Sequence, residues 1–102
     1  MYLIQLLLPL SDNDGRAFEH ALYDRVFDEL AEACGGVTAF QRSPAEGAWK
    51  AHGQGVCHDE VVVFEVMVET LDRPWWQAYR RELERRFQQD ELLMRAIQIE
   101  TI

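Results

Sequence analysis

The sequence predicts an α+β domain of the ferredoxin-like class: element order βαββαβ, a four-stranded antiparallel sheet, and two helices on one face. Three observations support this class. Residues 60–70 are rich in β-branched residues and are apolar at every even position from Val62 to Val68, which is typical of a central strand. Residues 2–8 form a second apolar run, and two stretches with helical periodicity separate the strands. We therefore predict a single domain over residues 1–102, because this length supports one hydrophobic core.

The first half of the chain supplies a strand, a helix and a short strand. Gln5 is the one polar residue in the middle of the run 2–8, so both faces of this strand are largely apolar and a central position is expected. The polar turn residues 11–15 can cap a helix over residues 16–33. Gly35 or Gly36 is expected to end that helix in the left-handed conformation. Residues 37–42 are predicted to form the second strand.

The second half begins with an irregular segment, residues 43–59, which we interpret as a functional or mobile loop or as a hairpin extension. After the central strand, Asp72 and Pro74 announce a second helix. Its predicted buried stripe is Trp76, Tyr79, Leu83 and Phe87. Glu82 precedes Arg86 by four residues, the favourable orientation for an ion pair on a helix. Residues 92–102 alternate well enough to be the last strand.

Two helices cover only one face of such a sheet, and the other face carries many apolar side chains. Val61, Val63 and Met67 are expected there, together with Leu3 and Leu7 or their neighbours. A patch of this size is unusual on the surface of a monomer. A second copy of the chain is the simplest cover, so the sequence predicts a homodimer.

Three short motifs occur in order along the chain: Gly36-Val37-Thr38, then Gly47-x-Trp49, then Arg86-Phe87-x-Gln89-Asp90 running into Leu92 and Leu93. This combination resembles small bacterial proteins grouped as a domain of unknown function. The match covers about the last two thirds of the chain. It implies a ferredoxin-like fold and supplies no activity. In architecture the chain is also similar to the dimeric α+β-barrel proteins, among them cofactor-free monooxygenases, whose catalytic residues have no counterparts at matching places.

Charge and composition argue against several classes of partner. The formal net charge of −8 argues against nucleic acid, which is bound through clusters of Lys and Arg. The basic residues Arg80, Arg81, Arg85 and Arg86 are expected to form a solvated helix face. No apolar run approaches the ~20 residues of a membrane span. Two cysteines are too few for a disulfide framework, so reduced thiols and a cytoplasmic protein are expected.

Glu65 is the candidate catalytic residue. It lies in the middle of the central strand, on the face where a ligand or a partner should pack, so its carboxylate must pair, accept hydrogen bonds or change its protonation. The structural alternative is an ion pair with Arg42 or with an arginine of a second copy. Trp49, His52 and Trp75 are the candidate ligand-binding residues. For both tryptophans, packing remains an open alternative.

Four side chains near the long loop have ligating atoms: His52, Cys57, His58 and Asp59. They lack the repeated paired spacing of structural zinc sites, so neither a metal nor a cofactor is predicted. Cys57 with a nearby histidine also lacks a third residue that would orient a nucleophile and its base. An inert thiol is expected.

Two functions are therefore compatible with the sequence. The leading one is a homodimer with a small-molecule pocket at the open sheet face, serving a cofactor-free enzyme or a binding protein that uses Glu65. The alternative is a non-catalytic interaction or regulatory module that uses the same face only for dimerisation. A concave site with converging polar groups favours the first, and a flat, filled interface favours the second.

Overall fold

The computed structural model describes residues 1–42 and 61–102, and for residues 39–42 it describes the backbone alone. The elements are β1 (Tyr2–Pro9), α1 (His20–Cys34), β2 (Thr38–Arg42), β3 (Val61–Val68), α2 (Arg73–Arg86) and β4 (Leu93–Gln98). The strands form one antiparallel sheet in the order β2-β3-β1-β4. The two most apolar strands, β1 and β3, are thus its central pair.

The core lies between one face of the sheet and the two helices. The strands contribute Ile4, Leu6, Leu8, Phe64 and Val66, and the helical layer contributes Val26, Leu30, Trp76, Leu83 and Phe87. The ring of Phe87 meets Phe18 edge-on at 5.2 Å between centroids, which joins the end of α2 to the segment before α1. Each such side chain contributes about 1.5–3 kcal/mol on burial. This core positions the helices and leaves the second sheet face uncovered by them.

The predicted start of the first helix is wrong by four residues. The Asp12 carboxylate accepts the backbone N–H groups of Asp14 and Arg16, both at 2.9 Å. An aspartate that bonds the backbone in this way holds a local turn and competes with helix formation. The helix therefore begins at His20 rather than at Arg16.

The other helix signals are confirmed. Gly35 ends α1 with φ of 79°, and its N–H donates to the carbonyl oxygen of Ala31. The Asp72 carboxylate accepts the N–H of Trp75 at 3.2 Å and caps α2. Both signals act over a few residues, which is why the sequence reveals them.

The ferredoxin-like class predicted from the sequence is not borne out, and the elements differ in length from those predicted. The helices have 15 and 14 residues instead of about 18. The edge strands β2 and β4 have 5 and 6 residues, against 8 in β1 and β3. The last strand ends at Gln98 rather than at Ile102, because the register brings Ile99 opposite Met1, the residue before β1. The structure describes every side chain of the three strands β3, β1 and β4.

A charged cluster joins α1 to α2. The side chain of Arg86 is only 8% exposed, and it donates to both oxygens of Glu29 at 2.6 and 2.9 Å and to Glu82 at 2.7 Å. Tyr79 also donates to Glu29, at 2.9 Å. The hydrogen bonds from Arg86 lower the pKa of the Glu29 carboxyl. The predicted pair between Glu82 and Arg86 is confirmed, but Arg86 is a buried cross-link and not part of a solvated face.

Candidate functional site

A row of polar side chains crosses the helix-free face of the sheet. The register places Gln5 on β1 opposite Glu65 on β3 and, on its other side, opposite Arg95 on β4. Thr38 on β2 is opposite Glu65. Residues directly opposite one another in neighbouring strands project to the same face. The four side chains therefore share one face and one line across all four strands.

Gln5 connects the two charged members of this row. Its Nε2 donates to Glu65 Oε2 at 2.5 Å, and its Oε1 accepts from Arg95 Nε at 2.6 Å. Gln5 is 9% exposed, so its amide is nearly withdrawn from water and both of its ends need partners. The donor end faces the carboxylate and the acceptor end faces the guanidinium. Gln5 thereby holds opposite charges in fixed positions on either side of itself.

Apolar side chains flank the polar row on both sides. The register places Met67, Leu3 and Ile97 in one flanking row and Val63, Leu7 and Leu93 in the other. Three of these are large and exposed: Met67 at 55%, Leu93 at 51% and Ile97 at 41%. Val63 is 2% exposed within the single chain, so it is not available to a partner as the sequence predicted. The exposed apolar surface is centred on Met67, Leu93 and Ile97.

A cavity of about 630 Å³ adjoins the Glu65 end of the row. It is bordered by residues 34–38, which lead from α1 into β2, and by Leu3, Glu65 and Met67. Its volume lies within the roughly 300–1,000 Å³ typical of small-molecule sites. The carboxylate of Glu65 thus stands at the edge of a space large enough for a ligand.

The predicted site residues do not all come together. Glu65 belongs to the polar row. Trp75 lies in the helical layer, where its ring stacks on Tyr79 with 5.1 Å between centroids. It borders a different cavity, shared with Ala33 and Cys34. Trp49 and His52 lie outside the described residues.

Sequence reasoning missed three members of the row, Thr38, Gln5 and Arg95. Gln5 carries a usable signal, because both Gln5 and Glu65 are polar residues in the middle of an apolar strand. Pairing the two strands at their centres places these residues side by side. Arg95 carries none, since charged residues are common on edge strands. Arg42, the predicted partner of Glu65, is opposite Val61 in the backbone register, four residues away along β2 from Thr38.

Within residues 1–42 and 61–102, no three His, Cys, Asp or Glu side chains are grouped so as to hold a metal ion. The predicted weak ligands His52, Cys57, His58 and Asp59 lie outside these ranges. No helix in the same ranges has both the length and the apolar character needed to cross a membrane.

No protein-family model matches the sequence, and no curated protein does. Similarity is found among solved structures. A phage SAM lyase in complex with S-methyl-5'-thioadenosine gives a TM-score of 0.62 at 13% identity, over 95% of this chain and 80% of that chain. A phage SAM lyase in the apo state gives 0.58 at 13% identity, over 94% of this chain and 78% of that chain.

These likenesses correct the fold assignment. The order of elements suggested the ferredoxin-like class and the dimeric α+β barrels, but element order is a coarse criterion that many chains satisfy. Superposition also depends on element lengths and on packing, and by that criterion the structural neighbours are phage SAM lyases. The resemblance to a domain of unknown function stays a prediction. At 13% identity, what this chain shares with the phage SAM lyases is their fold.

Proposed function

We propose that the protein binds a small charged metabolite at the row formed by Glu65, Gln5 and Arg95. The observation that carries the proposal is the Gln5 bridge, which holds a carboxylate and a guanidinium in place on an otherwise apolar face. Polar and charged groups that are buried away from water often contribute less to the stability of a fold than well-packed apolar groups in the same place. The flanking rows are apolar, so apolar residues would complete this face if it served packing alone. Two opposite charges in fixed positions suit a ligand that carries both.

The ligand class follows from these charges together with the fold. Glu65 complements a cationic group, and the terminal guanidinium nitrogens of Arg95 complement a carboxylate or a phosphate. SAM carries a sulfonium and an amino-acid carboxylate, and two solved structures with a similar fold are phage SAM lyases. We therefore propose SAM or a related sulfur-containing nucleoside as the ligand. If the protein is an enzyme, Glu65 is its catalytic residue, because it is the member of the row that accepts a proton.

A second copy of the chain completes the site in this proposal. A sheet face is flat, whereas small-molecule sites bury about 70–90% of their ligand. The row is also self-complementary, because a twofold axis running along β1 brings Glu65 of each copy over Arg95 of the other. The exposed side chains of Met67, Leu93 and Ile97 would surround the pocket and exclude water from it.

Glu65→Gln is expected to weaken the binding of SAM by at least about tenfold, because a charge-assisted contact contributes about 1.5–3 kcal/mol. Binding of neutral S-methyl-5'-thioadenosine should change less. Isothermal titration calorimetry with both compounds measures the difference, and chromatography of S-methyl-5'-thioadenosine released from SAM tests for turnover.

The matched control for this variant is Glu69→Gln. Glu69 lies just beyond the end of β3 and is exposed, so its replacement changes the net charge equally without touching the row. This control should bind SAM as the wild type does, and the melting temperatures of both variants should stay near that of the wild type. The proposal fails if the wild type binds neither compound, or if the control loses as much affinity as Glu65→Gln.

Met67→Asp is expected to convert a wild-type dimer into monomers, because it places a charge on the exposed apolar surface. Light scattering coupled to size-exclusion chromatography measures the molar mass. Ile102→Asp, at a fully exposed position outside the strands, adds the same charge and should leave the dimer intact. A wild type that is monomeric at all concentrations would refute the dimer.

The exposure of Met67, Leu93 and Ile97 also favours a second function, a non-catalytic interaction or regulatory module whose open face serves dimerisation alone. In that case Glu65 pairs with Arg95 of the other copy and no ligand enters. Glu65→Gln would then weaken the dimer, and neither nucleoside would bind to the wild type. The calorimetry and the light scattering together separate the two functions.

A further inference from the structure

A different cavity lies between α2 and the edge strand β4, on the helix-covered side of the sheet. Its volume is about 200 Å³, and its polar border is Arg73, Gln77 and Arg80. Its apolar border is Ile4, Leu71, Trp76 and Met94. We propose that this cavity binds a small organic anion, with the carboxylate or phosphate of the anion held by Arg73 and Arg80.

The polar border comes from one side of α2. Arg73, Gln77 and Arg80 follow one another at spacings of four and three residues, which places them in a line along one helix face. Arg95 on β4 also borders the cavity, but its Nε is bonded to Gln5 on the opposite face of the sheet. The two arginines of α2 are therefore the cations available to a ligand here.

Arg80 supplies the most specific observation. Its Nε is buried and has no hydrogen-bond partner among residues 1–42 and 61–102. The Glu84 carboxylate oxygen lies 3.9 Å away, which is too far for a hydrogen bond. A buried N–H group that has lost water and gained no acceptor is costly and rare in folded proteins. An oxyanion in the cavity would provide the acceptor that the described residues do not.

The neighbouring arginines of the same helix differ in this respect. Arg85 and Arg86 each donate to Glu82 at 2.7 Å. Arg73 forms no ion pair with any carboxylate of residues 1–42 and 61–102. In an acidic chain, these two arginines, of which Arg80 has its nearest ion-pairing carboxylate at 3.9 Å, form a local cationic site at one cavity. The planar guanidinium pairs equally well with carboxylate and phosphate oxygens, and the apolar border suits a short carbon skeleton.

Nuclear magnetic resonance of the ¹⁵N-labelled full chain tests the proposal. The protein is titrated with inorganic phosphate and, separately, with succinate, while sodium chloride keeps the ionic strength constant. The side-chain N–H of Arg80 and the side-chain amide of Gln77 should shift along saturating curves. A lower Kd for phosphate would identify a phosphate group as the preferred ligand, and a lower Kd for succinate would identify a carboxylate.

Arg80→Gln is expected to raise the Kd by at least tenfold, because it removes the charge and the buried donor. Arg73→Gln, at an exposed position, should also weaken binding. It replaces Arg80→Gln as the test if that variant does not fold. The matched control is Arg81→Gln, which makes the same change at an exposed position of α2 that does not border the cavity. Shifts that never saturate, or that are equal in Arg73→Gln and Arg81→Gln, would show ionic screening alone and overturn the proposal. Glu65→Gln should leave these curves unchanged, so the two proposed sites succeed or fail separately.

Discussion

Phe87→Ala is expected to lower the free energy of unfolding by about 3–5 kcal/mol, the range for removing a buried aromatic side chain. Phe87 is fully buried, and its ring contacts those of Phe18 and Tyr23 at 5.2 and 5.4 Å between centroids. It thereby fills the space between α1, α2 and the segment that precedes α1. Alanine leaves a cavity there that the three surrounding elements cannot close without shifting toward one another.

Urea denaturation followed by circular dichroism measures the loss. Phe27→Ala is the matched control, because Phe27 is 40% exposed and meets Phe64 at a longer centroid distance of 6.5 Å. The control should lose no more than about 1.5 kcal/mol, since less apolar area leaves the core. If both variants lose the same free energy, Phe87 does not have the central packing role assigned to it.

Arg86→Ala is expected to lower the free energy of unfolding by about 3 kcal/mol, since removing one partner of a buried ion pair leaves the other without compensation. Glu29 would lose both hydrogen bonds from the guanidinium and keep the one from Tyr79. The effect falls at the lower end of the usual range because the side chain of Glu29 is about one third exposed to water in the folded protein. Arg85→Ala removes an exposed arginine whose side chain pairs with Glu82, and it should cost at most about 1 kcal/mol.

The same cluster determines how stability depends on acid. The hydrogen bonds from Arg86 hold the folded-state pKa of Glu29 below its ordinary value, so this stabilisation is fully present above the pKa of the unfolded chain, ~4.3. It is lost as the pH falls through the folded-state pKa. The urea concentration at the wild-type denaturation midpoint should therefore decrease as the pH is lowered below about 4.5. In Arg86→Ala this decrease should be smaller. An acid profile identical in wild type and variant would contradict this role of Glu29.

These two predictions also give a physical account of the motif Arg86-Phe87-x-Gln89-Asp90. Arg86 ties α2 to α1, and Phe87 fills the core. The next residue, Gln88, has φ of 52°, and the N–H of Gln89 donates to the carbonyl oxygen of Glu84 at 2.9 Å. This is the hydrogen-bond pattern that ends a helix with a left-handed residue. The conformation of these residues is therefore explained by stability and chain reversal.

Local patterns determined much of the architecture. The apolar runs predicted β1 and β3 as the central strands, and Gly35 and Asp72 predicted the helix ends they form. Glu65 was also recognisable, because strict alternation within one strand reveals a carboxylate on a half-apolar face. Each of these signals depends on residues that are close together in the chain. The start of α1 is the exception, because the side chain of Asp12 decided between a turn and a helix.

The tertiary structure alone decided what surrounds Glu65. Gln5 lies 60 residues before Glu65 in the chain, and Arg95 lies 90 residues after Gln5, so their hydrogen bonds depend on the register between strands. Similarly, Arg86 reads as a surface residue in its own helix and becomes buried only because α1 packs against it. Periodicity shows which way a side chain points within its element. What it meets there is set by packing between elements, since that packing optimises the whole core at once and leaves no local trace in the sequence.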